Sequence, residues 1–186
     1  PSLAQNDLPA LGLWREHLPY HHGKDITASE NKIYCATPYS LFSIDRATKE
    51  IERFSRVSGL SETGISTIRF DPVSKKLFVA YTNSNIDILT SSGIHNLPDL
   101  KRENTSGDKN IYHIFPDDDL CYLSTGLGII VIDVKKTEIR ESWFIGSNGG
   151  HVKTNGFTKN NQYHFAATEE GLKRAALNSN PADFSS

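Results

Sequence analysis

The residues best suited to chemistry in this sequence are histidines and acids, and their spacing decides what they can do. His17, His21 and His22 fall in the run His17-Leu18-Pro19-Tyr20-His21-His22. Imidazole nitrogens are good zinc ligands. Pro19, however, interrupts the helix that would put His17 and His21 on one face, and no carboxylate or cysteine stands in register. The run reads as a solvated loop. His113 and His164 lie inside apolar segments and read as packing or hydrogen-bonded residues, while His151 sits in the glycine-rich stretch from Ser147 to Asn155. None has the neighbouring nucleophile and orienting acid of a catalytic triad.

Asp117-Asp118-Asp119 invites a calcium or glycosidase reading, because grouped carboxylates coordinate hard cations or exchange protons. Three adjacent residues in a turn point in different directions, and the spaced Asp-x-Asp-x-Asp-Gly loop is missing, so an acidic turn is expected. Gly126-Leu127-Gly128 lacks the third glycine and the following helix of a dinucleotide fingerprint. It reads as a tight hairpin in which glycine supplies positive φ. Asn104-Thr105-Ser106 matches the glycosylation sequon, a pattern too short to carry weight. Lys101-Arg102 and Lys135-Lys136 are separated in sequence and flanked by acids, which suits a solvated surface better than a phosphate site. No catalytic, cofactor-binding or metal-binding residue is assigned, and the binding face stays open.

Twenty basic and 22 acidic residues in 186 give a net charge of −2. No global field therefore favours nucleic acid or an anionic membrane surface. No apolar run reaches the ~18 residues of a membrane span and no leader pattern opens the chain, so a soluble protein is expected. Cys35 and Cys121 sit in strands of non-adjacent repeats, beyond disulfide reach, and are read as buried free thiols.

The elements that must position these residues repeat four times. Lys32-Ile33-Tyr34-Cys35-Ala36-Thr37, Lys76-Leu77-Phe78-Val79-Ala80-Tyr81, Leu120-Cys121-Tyr122-Leu123-Ser124-Thr125 and Gln162-Tyr163-His164-Phe165-Ala166-Ala167-Thr168 are apolar runs ending on a small residue and then Thr or Tyr. Their last positions, 37, 81, 125 and 168, are 44, 44 and 43 residues apart. That interval matches a four-stranded propeller blade. An Ile-rich segment precedes each run, a polar hairpin separates the two, a third segment follows, and a half-exposed fourth centres on Ile51, Ile94 and Ile139. No segment sustains a 3.6-residue period. The expected class is all-β: one propeller region over 1–186 with repeats of roughly 24–57, 58–101, 108–147 and 151–186. Leu11 to Glu16 fits an outer strand of a preceding blade, and Ala182-Asp183-Phe184-Ser185 an outer strand of the fourth. The two would compete for one place if four blades closed, so the chain is read as the first part of a larger propeller.

Two groups of residues carry a resemblance. Ser58-Gly59-Leu60-Ser61, Ile65, Ile68, Asp71 and Leu77 to Tyr81 resemble the regulator-propeller repeat of periplasmic sensor regions in hybrid two-component kinases. A closer likeness runs through Ala80 to Leu89, Asp99 to Arg102, Gly107-Asp108-Lys109, Tyr122 to Ile129 and Ala166 to Leu172. This set resembles the N-terminal propeller of PorZ-type proteins of the type IX secretion system in Bacteroidota, from Trp14 to Phe184. The resemblance implies an extracytoplasmic protein with two propellers and a C-terminal β-sandwich. It implies action in the outer-membrane attachment complex that links cargo to an anionic lipopolysaccharide, with the sortase activity in a partner. The expected function is thus a non-catalytic scaffold with protein partners and, through the full-length protein, lipopolysaccharide. The alternative is the ligand-sensing propeller of a two-component regulator. A carbohydrate-active propeller enzyme is disfavoured, because its carboxylates would have to converge at the central funnel.

Overall fold

The computed structural model of the chain describes residues 20–183. Leu11 to Glu16 and His17 lie outside them. Four antiparallel meanders follow one another. The first is β1 (Asp25–Ala28), β2 (Lys32–Ala36), β3 (Leu41–Asp45) and β4 (Ile51–Phe54). The second is β5 (Ile65–Asp71), β6 (Lys76–Tyr81), β7 (Ile86–Thr90) and β8 (Gly93–Leu97). The third is β9 (Ile111–Asp117), β10 (Leu120–Thr125), β11 (Ile129–Asp133) and β12 (Glu138–Trp143). The fourth has three strands among the described residues, β13 (Thr154–Lys159), β14 (Tyr163–Thr168) and β15 (Gly171–Ala176). A single helical turn, α1 (Asp99–Arg102), lies between the second and third sheets and buries Leu100.

First strands pack side by side, β1 on β5, β5 on β9 and β9 on β13, with no comparable packing of β13 on β1 among the described residues. The sheets are therefore blades set around one axis in an open arc, as a partial propeller. Strand alternation makes this work, because successive side chains point to opposite faces of a blade. In β10, Cys121 and Leu123 meet Phe78, Ala80 and Ile88 of the second blade. Tyr122, the residue between them, joins Phe157 of the fourth. In β11, Ile130 and Ile132 go to the first of these seams and Ile129 and Val131 to the second, each at most 1% exposed. Both faces of a central blade are thus core. Among the described residues the ends of the arc lack this cover, and Ile26 and Ile51 on the first blade and Leu172 on the fourth are 62%, 54% and 76% exposed.

The four anchor residues sit at one place, the hairpin joining the second and third strands. Thr37, Thr125 and Thr168 each donate the hydroxyl to the carbonyl three residues on, at 3.2, 3.1 and 2.8 Å, and accept from the amide two residues on. This side-chain turn closes the hairpin locally. Tyr81 differs because its hairpin is one residue longer, Ala80 pairing with Ile86, and Ser84 takes the left-handed conformation there. Its backbone N–H bonds Asn85 O and its phenol turns inward instead.

Four details depart from the sequence reading. Cys121 is fully buried, but Cys35 is only half-buried, because it faces the side of the first blade that no other blade covers among the described residues. Pro116 and Asp117 belong to β9, and the turn is carried by Asp118, at φ 52°, with Asp119. Only Gly128 uses positive φ, at 137°; Gly126 is small for another reason, since a Cβ there would lie 2.2 Å from Asp108 O. Residues 181–182 form a turn rather than the start of an outer strand, and Phe184-Ser185 lie outside the described residues.

Because Ile130 and Ile132 fill one seam, Ile130→Ala or Ile132→Ala should each lower unfolding free energy by about 2–5 kcal/mol. Exposed Ile51→Ala should stay within about 0.5 kcal/mol of wild type. Urea denaturation of the three variants measures this, and equal losses at all three sites would contradict the assigned seams.

Candidate functional site

Two polar constructions stand out from the apolar seams. The first is built on Asp87, the one acid inside the run Ile86-Asp87-Ile88-Leu89. Its carboxylate is fully buried. Oδ2 accepts from Ser61 N at 2.7 Å and from the Tyr81 phenol at 2.6 Å, and Oδ1 accepts from Asn96 Nδ2 at 2.9 Å. Burial, reinforced by the adjacent Asp87 carboxylate, holds the Tyr81 phenol protonated far above the usual tyrosine range. Asn96 Nδ2 also donates to Asn85 Oδ1, and Asn85 Nδ2 to Glu62. Lys101 caps the chain of contacts by pairing with Glu62, whose carboxyl it holds below its ordinary value. Acid and phenol are in contact but closed to solvent. Their effect is to fasten the loop between the first two blades to the second blade.

The second construction is an aromatic seam between the third and fourth blades. Tyr122 stacks on Phe157 at 4.5 Å, and the His164 ring lies 5.3 Å from Trp143 and 5.6 Å from Phe157. Trp143 Nε1 donates to Glu141 at 2.8 Å. His164 Nδ1 is buried without a hydrogen-bond partner. Burial, with nearby Lys159, pushes the imidazole below its ordinary pKa, and Asp117 opposes this. Toward the surface the seam opens into a cleft of about 290 Å³ edged by Ser147, Asn148, Lys173 and Asp183. His113, between the inner strands, is also depressed by burial and by Arg69, and its Nδ1 is likewise unpartnered.

The remaining reactive residues stay apart. His21 and His22 are exposed with rings 4.3 Å apart, and His151 packs on Phe144 at 4.8 Å. Asp117 pairs with Lys159 of the fourth blade and Asp119 with Lys135 at 2.6 Å, so the acidic run serves different partners. Lys101-Arg102 lie in α1, ahead of β9, whereas Lys135-Lys136 lie in the hairpin at the other end of the third blade. Asn104 to Ser106 is surface loop. No group of three His, Cys, Asp or Glu side chains able to hold a metal occurs among the described residues. Sequence reasoning passed over Asp87; its one visible signal was an acid flanked by isoleucines, where a strand buried on both faces has no use for charge unless it is bonded.

Truncating Asp87→Ala strands three donors and should cost on the order of 3 kcal/mol, more than Asp87→Asn, in chemical denaturation. The depressed imidazoles of His164 and His113 contribute stability that is full above the unfolded-state pKa of ~6.5 and is lost as pH falls through their lower folded values. The urea midpoint should therefore drop between pH 7 and pH 5, and His164→Phe should flatten that drop. An unchanged pH slope in the variant would refute the role of His164.

No curated protein matches the chain, but solved structures do. PorZ of Porphyromonas gingivalis, titled an essential bacterial surface component of the type IX secretion system, superposes with TM-score 0.81 at 26% identity, over 92% of this chain and 23% of that one. The extracellular domain of BT4673 from B. thetaiotaomicron, assigned to a hybrid two-component system, gives TM-score 0.70 at 12% identity over 89% of this chain and 23% of that one. AztD from Citrobacter koseri gives 0.60 at 14%, over 78% and 40%. The last two show the fold alone, and the chain spans about a quarter of the first two structures. The family model of the PorZ N-terminal β-propeller domain matches residues 33–186, and the chain belongs to that family.

Proposed function

We propose that the chain is a non-catalytic interaction scaffold, part of the propeller of a PorZ-like component of the type IX outer-membrane attachment complex. The observation that carries this is the family match over residues 33–186, supported by 26% identity to PorZ. In this reading residues 1–186 form one propeller region, with blades at roughly 24–57, 58–101, 108–147 and 151–186. The protein works outside the cytoplasm, its partners are proteins of the complex, and lipopolysaccharide contact belongs to the full-length protein. The polar chemistry agrees with a scaffold. The Asp87–Tyr81 pair is buried and spent on fastening a loop, and the other acids and histidines are distributed among separate partners. General acid–base work needs such groups within reach of one substrate.

A second reading, the ligand-sensing propeller of a hybrid two-component regulator, is favoured by the likeness to the BT4673 extracellular domain, although at 12% identity. Deletion of the gene separates the two. Under the scaffold reading, secretion cargo fails to attach to the cell surface and transcription of a regulon is unaffected. Normal cargo attachment with altered transcription would overturn it in favour of the regulator.

A further inference from the structure

The inner strands hand polar groups from one blade to the next, and their register shows where that pattern breaks. In β1, Asp25 lies opposite Ala36 and Thr27 opposite Tyr34. Both serve the second blade. Asp25 Oδ2 accepts from Thr67 Oγ1 at 2.6 Å and from Ile68 N at 2.8 Å, and Thr27 Oγ1 accepts from Phe70 N at 3.0 Å. In β5, Thr67 lies opposite Ala80 and Arg69 opposite Phe78; in β9, His113 lies opposite Ser124 and Ile114 opposite Leu123. One blade on, Thr67 therefore holds the place of Asp25 and Arg69 that of Thr27, while His113 and Ile114 hold those of Thr67 and Ile68.

Between the first and second blades the seat is filled by a carboxylate. Between the second and third it keeps the backbone amide, gains a cation and loses the carboxylate. Thr67 brings only a hydroxyl, and that hydroxyl is given to Asp25. Arg69 is half-buried and makes neither hydrogen bond nor ion pair, and burial together with this guanidinium lowers the pKa of His113. The other basic side chains without such a partner among the described residues, Arg56, Lys75 and Arg102, are all exposed. A guanidinium drawn back from water calls for an anion. His113 Nδ1 and Ser124 Oγ, on directly opposed residues, are likewise buried without partners, and the other blades carry Ala36, Ala80 and Ala167 in the position of Ser124. β5 and β9 are flanked by β1 and β13, so the seat lies inside the arc and not at either end.

We propose that Arg69, His113 and the Ile114 amide form a carboxylate site on the inner wall of the propeller, and that its ligand is a small organic acid. Arg69 supplies charge-assisted donors, and the carboxylate takes the part in this seam that Asp25 plays in the one before. A single negative charge is preferred to a phosphate dianion, because the Asp25 carboxylate acts on the same imidazole and repels a second charge. This assignment rests on the inner-strand register and does not depend on the secretion role.

The probe is sodium acetate, the aspartate side chain without its backbone, titrated into the nitrogen-15-labelled 186-residue chain at pH 7 and constant ionic strength, with sodium chloride as reference. Saturable shifts of the Ile114 amide and Arg69 Nε–H resonances are expected, and they should persist in a Lys75→Gln variant, which removes an exposed charge. Arg69→Gln should weaken acetate at least about tenfold, with the circular dichroism spectrum unchanged. Inorganic phosphate should bind the wild-type chain more weakly than acetate does. Shifts with acetate no larger than those with chloride, or equal affinity in Arg69→Gln, overturn the proposal. Phosphate binding as tightly as acetate overturns the assignment to a carboxylate.

Discussion

Everything in this molecule depends on one constraint: a blade is a single sheet with two faces, and each face must be buried by a different neighbour. A strand of the third blade such as β11 spends Ile130 and Ile132 on one seam and Ile129 and Val131 on the other. Among the described residues no layer of helices shares the work. Burial of a whole isoleucine side chain is worth about 1.5–3 kcal/mol, so a few positions per seam carry much of the stability. Stability of this kind is a sum over neighbouring interfaces, and it falls off where the neighbours run out. The exposures of Ile26 and Leu172 mark those two places.

Polar groups enter under the same constraint, as fasteners between blades. Asp25 of β1 accepts from Thr67 Oγ1 at 2.6 Å and from Ile68 N at 2.8 Å, and Thr27 Oγ1 accepts from Phe70 N at 3.0 Å. These bonds satisfy the inner-edge amides of β5, which would otherwise be open donors. In the third blade the place of Phe70 is taken by Pro116, which has no donor to satisfy. Asp87 does similar work farther out, holding Ser61 N of the connecting loop. On the fourth blade Glu170 holds Ser147 N, at 3.1 Å, and is itself held by Lys173. Charge on the first, second and fourth blades is thus placed where blade-to-blade or blade-to-loop contact needs an acceptor.

Architecture was legible in the sequence because equal spacing converts directly into equal placement. Thr37, Tyr81, Thr125 and Thr168 close the same hairpin, and the isoleucines at 51, 94 and 139 mark the outer strands. What the pattern could not show were the local substitutes. The one-residue extension after Tyr81 is hidden, because the 44-residue interval is preserved by compensating lengths elsewhere. Gly126 gives no hint that it yields to the Asp108 carbonyl rather than to a positive φ. The candidate cleft was illegible for a different reason: Trp143, Phe157, His164 and Ala175 come from four strands of two blades, and no linear motif links them.

A propeller built in this way has few places at which its packing is incomplete. The seams among the first three blades are filled, three of the hairpins are closed by their own threonines, and Asp87 is fully buried against its three donors. The seam between the third and fourth blades differs, because its aromatic cluster of Tyr122, Trp143, Phe157 and His164 opens into a cleft toward the surface. Here the fourth blade departs from its siblings: Arg174 and Lys173 stand where the other blades carry Ser43, Ile88 and Val131, and Phe42, Asp87 and Ile130, and each is held within its own blade, Arg174 over the Tyr163 ring and Lys173 by Glu170.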